Sequence, residues 1–476
     1  MKNNKNNQIF YYVFAIVVGG IFQLLNISLL AWLVLPERVG VFYLIILSTT
    51  WVILVFSLGM DQAFAREYHL EKSKPKLFLH AMMPGLIILM ISTILIFLFW
   101  PTFLSEIITS IESTKISLLI TCCLFIEFFI RFLSIQLRMQ EKSLEFSILQ
   151  IAPRVIFFLS LFIIFVMLGY SRELVTLIYI HIASILITLT LALFFSYRNS
   201  KISTHLSYDK VLLKKLIIFA YPMMFTGLAM WLVNSMDKVF LRGGGQYDEL
   251  ALVSATMTFS MVATALTSIF NTIWMPLIYK WNARNVDIEI IQAILHYAAT
   301  FVLMMVLLTI SFSWILPYLF PAFYSDIQFL ILGGLYGPFM YTLSEITGVG
   351  IALQRKTYYY LVISLCSSAL SILAAWALVP SLGAKGAFSS YMLSHLVFFI
   401  MRTHISMKML LKLKVTKIYI FVVCLFIFIN SFMYFGHLMN PSAYLGASIL
   451  TIIMMYLNRN KISKIQSIYK NIEIFD

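Results

Sequence analysis

Long apolar stretches recur from one end of this 476-residue chain to the other, and no other feature restricts its fold as much. Marking runs bounded by charges, proline and glycine gives about fourteen. They lie at 9–35, 39–64, 77–100, 116–138, 146–168, 174–196, 216–241, 250–278, 290–316, 328–353, 357–380, 386–407, 416–436 and 441–457. A helix of about 20 apolar residues crosses the hydrocarbon of a bilayer. Inside that layer every backbone polar group must find its partner within the protein. The runs therefore predict an all-α polytopic membrane protein of about fourteen transmembrane helices. Only 11% of the residues are charged, against about a quarter in a soluble domain. Disorder, a coiled coil and a cytosolic enzyme are excluded, because no soluble surface absorbs so much hydrocarbon.

The charges that remain set the orientation. Lysine and arginine number 34 against 20 acidic residues, giving +14. With the N-terminus in the cytoplasm, 25 of the basic residues fall in cytoplasmic loops and tails. Only Arg38, Lys115, Arg172, Arg242 and Lys385 fall outside, and Arg131, Arg154, Lys238 and Arg402 lie within spans. Basic residues are retained on the cytoplasmic side, so both termini are expected there. Nucleic acid is not an expected partner, since no continuous basic, aromatic-interleaved surface is visible. The apolar run from Ile9 to Leu35 is too long for a signal peptide and lacks a small-residue cleavage site. It reads as the first span.

The longest polar connection, Tyr197 to Lys215, separates two sets of six spans. The expected division is 1–200 for an N-terminal six-helix bundle, 201–215 for a cytoplasmic linker and 216–410 for a second bundle. Residues 411–476 then hold two additional helices and a basic tail. The halves echo each other weakly. Gly40-Val41-Phe42-Tyr43 has a counterpart in Gly245-Gln246-Tyr247, and Leu168-Gly169 in Leu382-Gly383. Repeats of this kind build many transporters.

No catalytic constellation is visible. The chain lacks a G-x-x-x-x-G-K-[ST] phosphate loop, and Gly243-Gly244-Gly245 reads as a turn. Eight scattered histidines show no metal-ligand spacing, and no cofactor is expected. Cys122, Cys123, Cys366 and Cys424 all sit in apolar runs and read as small core residues. The informative residues are ionisable groups inside the hydrocarbon, each costing about 2.5–3.5 kcal/mol at a helix centre on insertion scales.

Glu127 and Arg131 lie four apart on span four, hence on one helix face. Arg154 enters span five at a similar depth from the cytoplasmic side. The three are expected to form a cluster of net charge +1. Guanidinium grips phosphate oxygens bidentately, so the cluster is either a phosphate site facing the cytoplasm or a salt bridge locking spans four and five. Asp61 and Arg66, at the inner mouth of span two, mark the interface or join that site. Arg402 is expected to snorkel from the inner end of span twelve. Asp237 and Lys238 are adjacent on span seven and point about 100° apart, which argues against a simple pair. Asp237, with Lys238 beside it, and Glu345 are each either a coupling carboxylate or the partner of a basic residue elsewhere. Trp231, Trp274, Tyr341 and Tyr358 to Tyr360 either stack on sugar rings or belong to the interfacial aromatic belt.

Several stretches resemble the polysaccharide-transporter family of O-antigen and capsule repeat-unit flippases, within the multidrug/oligosaccharidyl-lipid/polysaccharide exporter superfamily. These are Leu35-Pro36-Glu37-Arg38-Val39-Gly40-Val41-Phe42-Tyr43, Ser57 to Tyr68 (SLGMDQAFAREY), Tyr221-Pro222 with Asn234-Ser235-Met236-Asp237-Lys238, Trp274-Met275-Pro276, and Val379 to Phe388 (VPSLGAKGAF). The resemblance covers most of residues 8–407. It implies two six-helix bundles around a central cavity that opens to one side at a time, in a bacterial inner membrane. It also implies an undecaprenyl-pyrophosphate-linked oligosaccharide as cargo, with membrane lipids, a polysaccharide polymerase and chain-length machinery as partners. The rivals are a peptidoglycan lipid II flippase, expected to carry more arginines on spans one and two, and a multidrug cation antiporter, whose cavity should not be basic. A glycan polymerase or ligase would need a larger external loop than 101–115.

Overall fold

The computed structural model describes residues 2–199, 208–283, 288–354, 356, 358–409, 413–438, 442 and 444–454. Among them every regular element is helical. The first part of the chain holds α1 (Lys2–Leu33), α2 (Pro36–Phe56), α3 (Met60–Glu67), α4 (Lys74–Phe99), α5 (Phe103–Thr109), α6 (Thr114–Met139), α7 (Ser143–Leu161) and α8 (Leu174–Asn199). A π-helical turn, Phe162–Met167, extends α7. Then come α9 (Lys210–Gly243), α10 (Tyr247–Ala283), α11 (Ile288–Ser313), α12 (Leu316–Leu319), α13 (Ile327–Thr347), α14 (Val349–Leu353), α15 (Tyr358–Met409) and α16 (Thr416–Phe435). The last described helix is α17, Tyr444–Met454.

Each of the fourteen apolar runs overlaps one or more of these helices, and among the described residues ten helices are long and apolar enough to cross a membrane. The 52-residue α15 accounts for two runs, because a kink divides it at Gly383. There φ is +54° and ψ is −131°, a conformation that costs glycine little and other residues much. Gly169 has φ +66° at the matching junction of the first half, so that echo holds in the backbone. The other echo does not: Gly40 is buried inside α2, whereas Gly245 turns the chain at φ +69°. The predicted glycine turn after α9 is present. The 201–207 part of the linker, the Asn440-Pro441 break and the tail from 455 lie outside the described residues.

Local signals account for several helix starts. Pro36 and Pro75 occupy first-turn positions, where the missing N–H would have no partner anyway. Ser113 caps α6 by accepting from the Ile116 N–H, and Asp209 caps α9 by accepting from Val211 and Leu212. Packing then sorts the helices. In the first part, α1 lies against α7, and α6 and α7 lie against α8; in the second, α9 and α13 lie along α15, with α10, α11 and α16 around α13. Encased in this way, α13 is buried almost from end to end, and it tolerates Gly333, Gly334 and Gly337 because protein rather than lipid surrounds it.

The two parts touch at both ends. At one end α2 meets α10 so closely that a Cβ on Gly40 would stand 2.1 Å from the Tyr247 carbonyl oxygen. There Arg242 of α9 donates to the Ile108 and Glu106 carbonyls of α5 at 3.1 and 2.9 Å. At the other end α3 and α4 meet α9, with Lys76 Nζ 2.8 Å from Asp209 Oδ2. Cys123 is buried as expected, whereas Cys122, Cys366 and Cys424 are exposed. In a membrane an exposed face meets hydrocarbon, so a small apolar side chain is tolerated there.

Candidate functional site

The ionisable residues inside the spanning helices are not arranged as their spacing suggests. Arg131, on α6, turns away from Glu127 and toward α3. Its Nη2 and Nε lie 2.6 and 3.1 Å from Asp61 Oδ2. Asp61 is 2% exposed, while about a third of the Arg131 side chain remains exposed. The preceding loop permits this approach, because Gly59 takes φ +69° and breaks the chain between α2 and α3. Asp61 is thus a buried counter-ion rather than an interfacial marker.

Glu127 instead faces α8, with Oε1 3.4 Å from His181 Nε2. That imidazole stands edge-on to Phe42 and Phe157, at centroid distances of 5.8 and 6.0 Å. The expected cluster of Glu127, Arg131 and Arg154 therefore does not form. Four-residue spacing puts two side chains on one face, but longer-range partners on α3 and α8 win both of them.

Arg154 is left without an acid. Among the described residues no carboxylate lies within 4 Å of it, and its guanidinium donates only a long 3.4 Å bond to the Gln150 carbonyl of its own helix. The side chain is pressed against α1, where a Cβ on Gly19 would come within 2.4 Å of Nη1. Asn26 of α1 anchors the same seam, donating from Nδ2 to the Arg154 carbonyl at 3.0 Å. Asn26 Oδ1 is buried without a partner among the described residues.

Arg66 is exposed on α3 and lies over the Phe219 ring at 4.3 Å. The next residue, Glu67, is buried and pairs with Lys215 of α9. These contacts, with Lys76–Asp209, gather ion pairs where the two parts of the chain meet. The Lys76 ammonium and the two capping N–H groups hold the Asp209 carboxyl at about 2, below its ordinary range.

The second part of the chain shows a different pattern. Arg402 does not snorkel; it is 5% exposed, and Nη1 lies 2.7 Å from Glu345 Oε1 and 3.1 Å from Ser344 Oγ. The rings of Tyr360, Tyr341 and Phe398 surround the guanidinium at 5.0, 5.7 and 5.8 Å. Tyr341 and Tyr360 are therefore walls of a cage, not a belt. Trp274 is buried too and donates from its indole to the Glu345 carbonyl at 3.2 Å. Asp237 and Lys238 also pair, although their Cβ atoms point about 100° apart. Lysine's four-carbon stem curls back along α9, placing Nζ 3.2 Å from Asp237 Oδ2 and 3.0 Å from the Asn234 carbonyl. Sequence reading missed His181 and Ser344 as partners; both are single polar residues in apolar runs, with nothing in their spacing to single them out.

Comparison with known proteins gives this geometry its context. No curated protein matches the chain at a significant level. Among solved structures, the lipid II flippase MurJ in an inward closed conformation superposes with a TM-score of 0.68 at 13% identity, covering 95% of this chain and 99% of that one. An inward-facing multidrug resistance MATE family transporter of the MOP superfamily gives 0.59 at 14% identity, over 84% and 97%. A MATE transporter in a bent conformation gives 0.51 at 14%, over 86% and 95%. At such identities the likeness concerns the fold, which is that of the MOP-superfamily transporters, multi-pass proteins of the membrane. The profile of a family described as polysaccharide biosynthesis protein matches residues 6–282. That segment is more than half of the sequence, and the chain belongs to this family.

Proposed function

We propose that this protein moves an undecaprenyl-pyrophosphate-linked oligosaccharide, a repeat unit of O-antigen or capsule, from the cytoplasmic to the outer leaflet of the bacterial inner membrane. The observation that carries the reading is Arg154. A guanidinium among spanning helices with no described carboxylate is a standing deficit of negative charge, and pyrophosphate is the part of such a cargo able to supply it bidentately. Arg131 contributes less, because Asp61 already neutralises it, and Glu127 faces His181 rather than either arginine. In this reading both termini are cytoplasmic, fourteen helices span, α1–α8 and α9–α15 form the two bundles, and α16 and α17 are additions. The bundles rock about the site so that it faces each side in turn.

The membrane potential supplies direction. Moving one negative charge out of an inside-negative cell gains about 2.3 kcal/mol per 100 mV, and pyrophosphate carries about two. Among the described residues, neither candidate coupling carboxylate is free to take a proton without first breaking a pair, since Lys238 holds Asp237 and Arg402 holds Glu345. A potential-driven step fits this arrangement better than a titrating one. Collapse of the potential with valinomycin and potassium should stop export, while collapse of the pH difference alone should not.

The deciding experiment complements a deletion strain with Arg154→Gln and assays lipid-linked repeat units in each leaflet. Accumulation in the cytoplasmic leaflet, loss of surface glycan and unchanged protein abundance are expected. Arg154→Lys, which keeps the charge but loses the fork, should restore export in part. Normal export by Arg154→Gln would defeat the phosphate role. Intact surface glycan with cell-wall lysis in the deletion strain would turn the reading to lipid II, the cargo of the MurJ flippase that shares this fold.

A further inference from the structure

At the end of the molecule away from the N-terminus, α11, α12, α13 and α17 line an open cavity of about 510 Å³, at whose mouth Tyr318 is largely exposed. Its position is fixed by α1, whose Ser28 and Trp32 side chains both donate to the Leu319 carbonyl of α12 at 3.0 Å. Three aromatic side chains line it, Trp314, Tyr318 and Tyr444, together with Ser311, Gln328 and Ser448. None of the lining residues is charged.

The commitments of these groups define what the cavity can hold. The Trp314 indole N–H is spent on the Ser311 carbonyl at 2.9 Å, so tryptophan offers only its ring. Its ring meets that of Tyr318 edge-on, with centroids 6.3 Å apart, giving a two-walled aromatic corner. The Ser311 and Ser448 hydroxyls donate to carbonyls of their own helices at 2.8 and 2.9 Å, which leaves their oxygens as acceptors. The Gln328 side chain makes no hydrogen bond with any described residue. It brings two donors and an acceptor to the cavity.

A phosphate or a cation would find no counter-charge here. An acyl chain would fill the apolar walls but offer the Gln328 amide no hydrogen-bond partner, an unfavourable outcome. A neutral pyranose satisfies both demands. Its C–H face packs on an aromatic ring, and its neighbouring hydroxyls match the amide and the serine oxygens. The volume lies within the usual range for small-molecule sites, about 300–1,000 Å³.

We infer that this cavity is a second glycan site, one that holds a neutral hexose unit apart from the charged residues of the translocation path. Only its assignment to the outer side rests on the topology proposed above; its sugar chemistry does not. The test measures saturation-transfer NMR on the full-length protein in phospholipid nanodiscs free of glycoside detergent. The probes are maltose, lactose and cellobiose, with glucose 6-phosphate as the charged control. At least one neutral disaccharide should receive saturation, and glucose 6-phosphate should not. Gln328→Ala and Tyr318→Ala should each weaken binding about tenfold or more, a loss equivalent to about 1.4 kcal/mol. Trp314→Phe should retain it, and Arg154→Gln should leave it unchanged. The inference is overturned if no neutral disaccharide receives saturation, as an acyl chain seated in the cavity would also produce. It is equally overturned if the signal survives Gln328→Ala, or disappears in Arg154→Gln, because the sugar then binds elsewhere. Free sugars report binding without transport, so the result stands apart from the export assay.

Discussion

The charges carried by α1–α8 and those carried by α9–α16 face the same solvent problem and solve it differently. In the second part each spanning acid is closed off by a base. Glu345 and Arg402 are both nearly inaccessible and share an aromatic cage, and Asp237 is covered by its neighbour Lys238. In the first part the accounting is left open. Asp61 is buried, but its partner Arg131 remains about one-third exposed, Glu127 meets only a histidine, and Arg154 meets no described acid. A buried pair of this kind holds helices together, and although Arg402 Nε has no partner among the described residues, the surrounding rings leave a ligand little access to it. An unneutralised guanidinium is poor architecture unless something else completes it. On the function proposed above, the difference leaves structure to one part and cargo contact to the other.

If that contrast is right, removing a carboxylate should cost stability in proportion to how deeply its partner is buried. Glu345→Gln should have the largest effect, because it strands Arg402 in a dry cage. Stranding one member of a buried pair costs about 3–5 kcal/mol. Denaturant unfolding in detergent should show it, and replacing both Glu345 and Arg402 by Met should recover most of the loss. A Glu345→Gln protein as stable as the parent would mean that the pair is not sealed.

Asp61→Asn should come next. Arg131 can turn its exposed third to water, so the cost is that of one hydrogen-bonded charge, about 1.5–3 kcal/mol, and export should persist. A loss exceeding that of Glu345→Gln would reverse the contrast between the two parts.

Much of this architecture is legible in the sequence, since hydrophobicity is read one residue at a time. Each apolar run became helix, the Gly243–Gly245 turn formed, and the kink at Gly383 lies where Leu382-Gly383 breaks the run. Side-chain pairing was not legible. Arg131 has Glu127 four residues away yet takes Asp61, 70 residues earlier, because the break at Gly59 brings that carboxylate to α6. Lys238 and Arg402 failed for a related reason. Helical-wheel angles and snorkelling describe where a Cβ points, while a long flexible stem decides where its charge ends. The sequence marks Arg154 as a cation within an apolar run, but its lack of an acid shows only once α1 is packed beside α7.

The smallest effect belongs to Asp209, which lies outside the spans and is open to water. Its carboxylate accepts from Lys76 on α4 and from two N–H groups at the start of α9, and these hold its pKa at about 2, below the ordinary carboxylate range. A depressed carboxyl stabilises the fold in its charged form. That contribution is therefore complete above about pH 4 and disappears as the pH falls through about 2. Asp209→Asn keeps the side chain's shape and one acceptor oxygen but removes the charge. The difference in melting temperature between the parent protein and this variant should be small and constant from pH 8 to pH 5, then shrink toward zero between pH 4 and pH 2. Because Lys76 and Asp209 join α4 to α9, the variant should also loosen that end of the molecule, giving faster hydrogen exchange in the first turn of α9 at neutral pH. A melting difference that grew on acidification would show that the charged carboxylate does not stabilise this junction. The exposed end of the burial series would then be wrong.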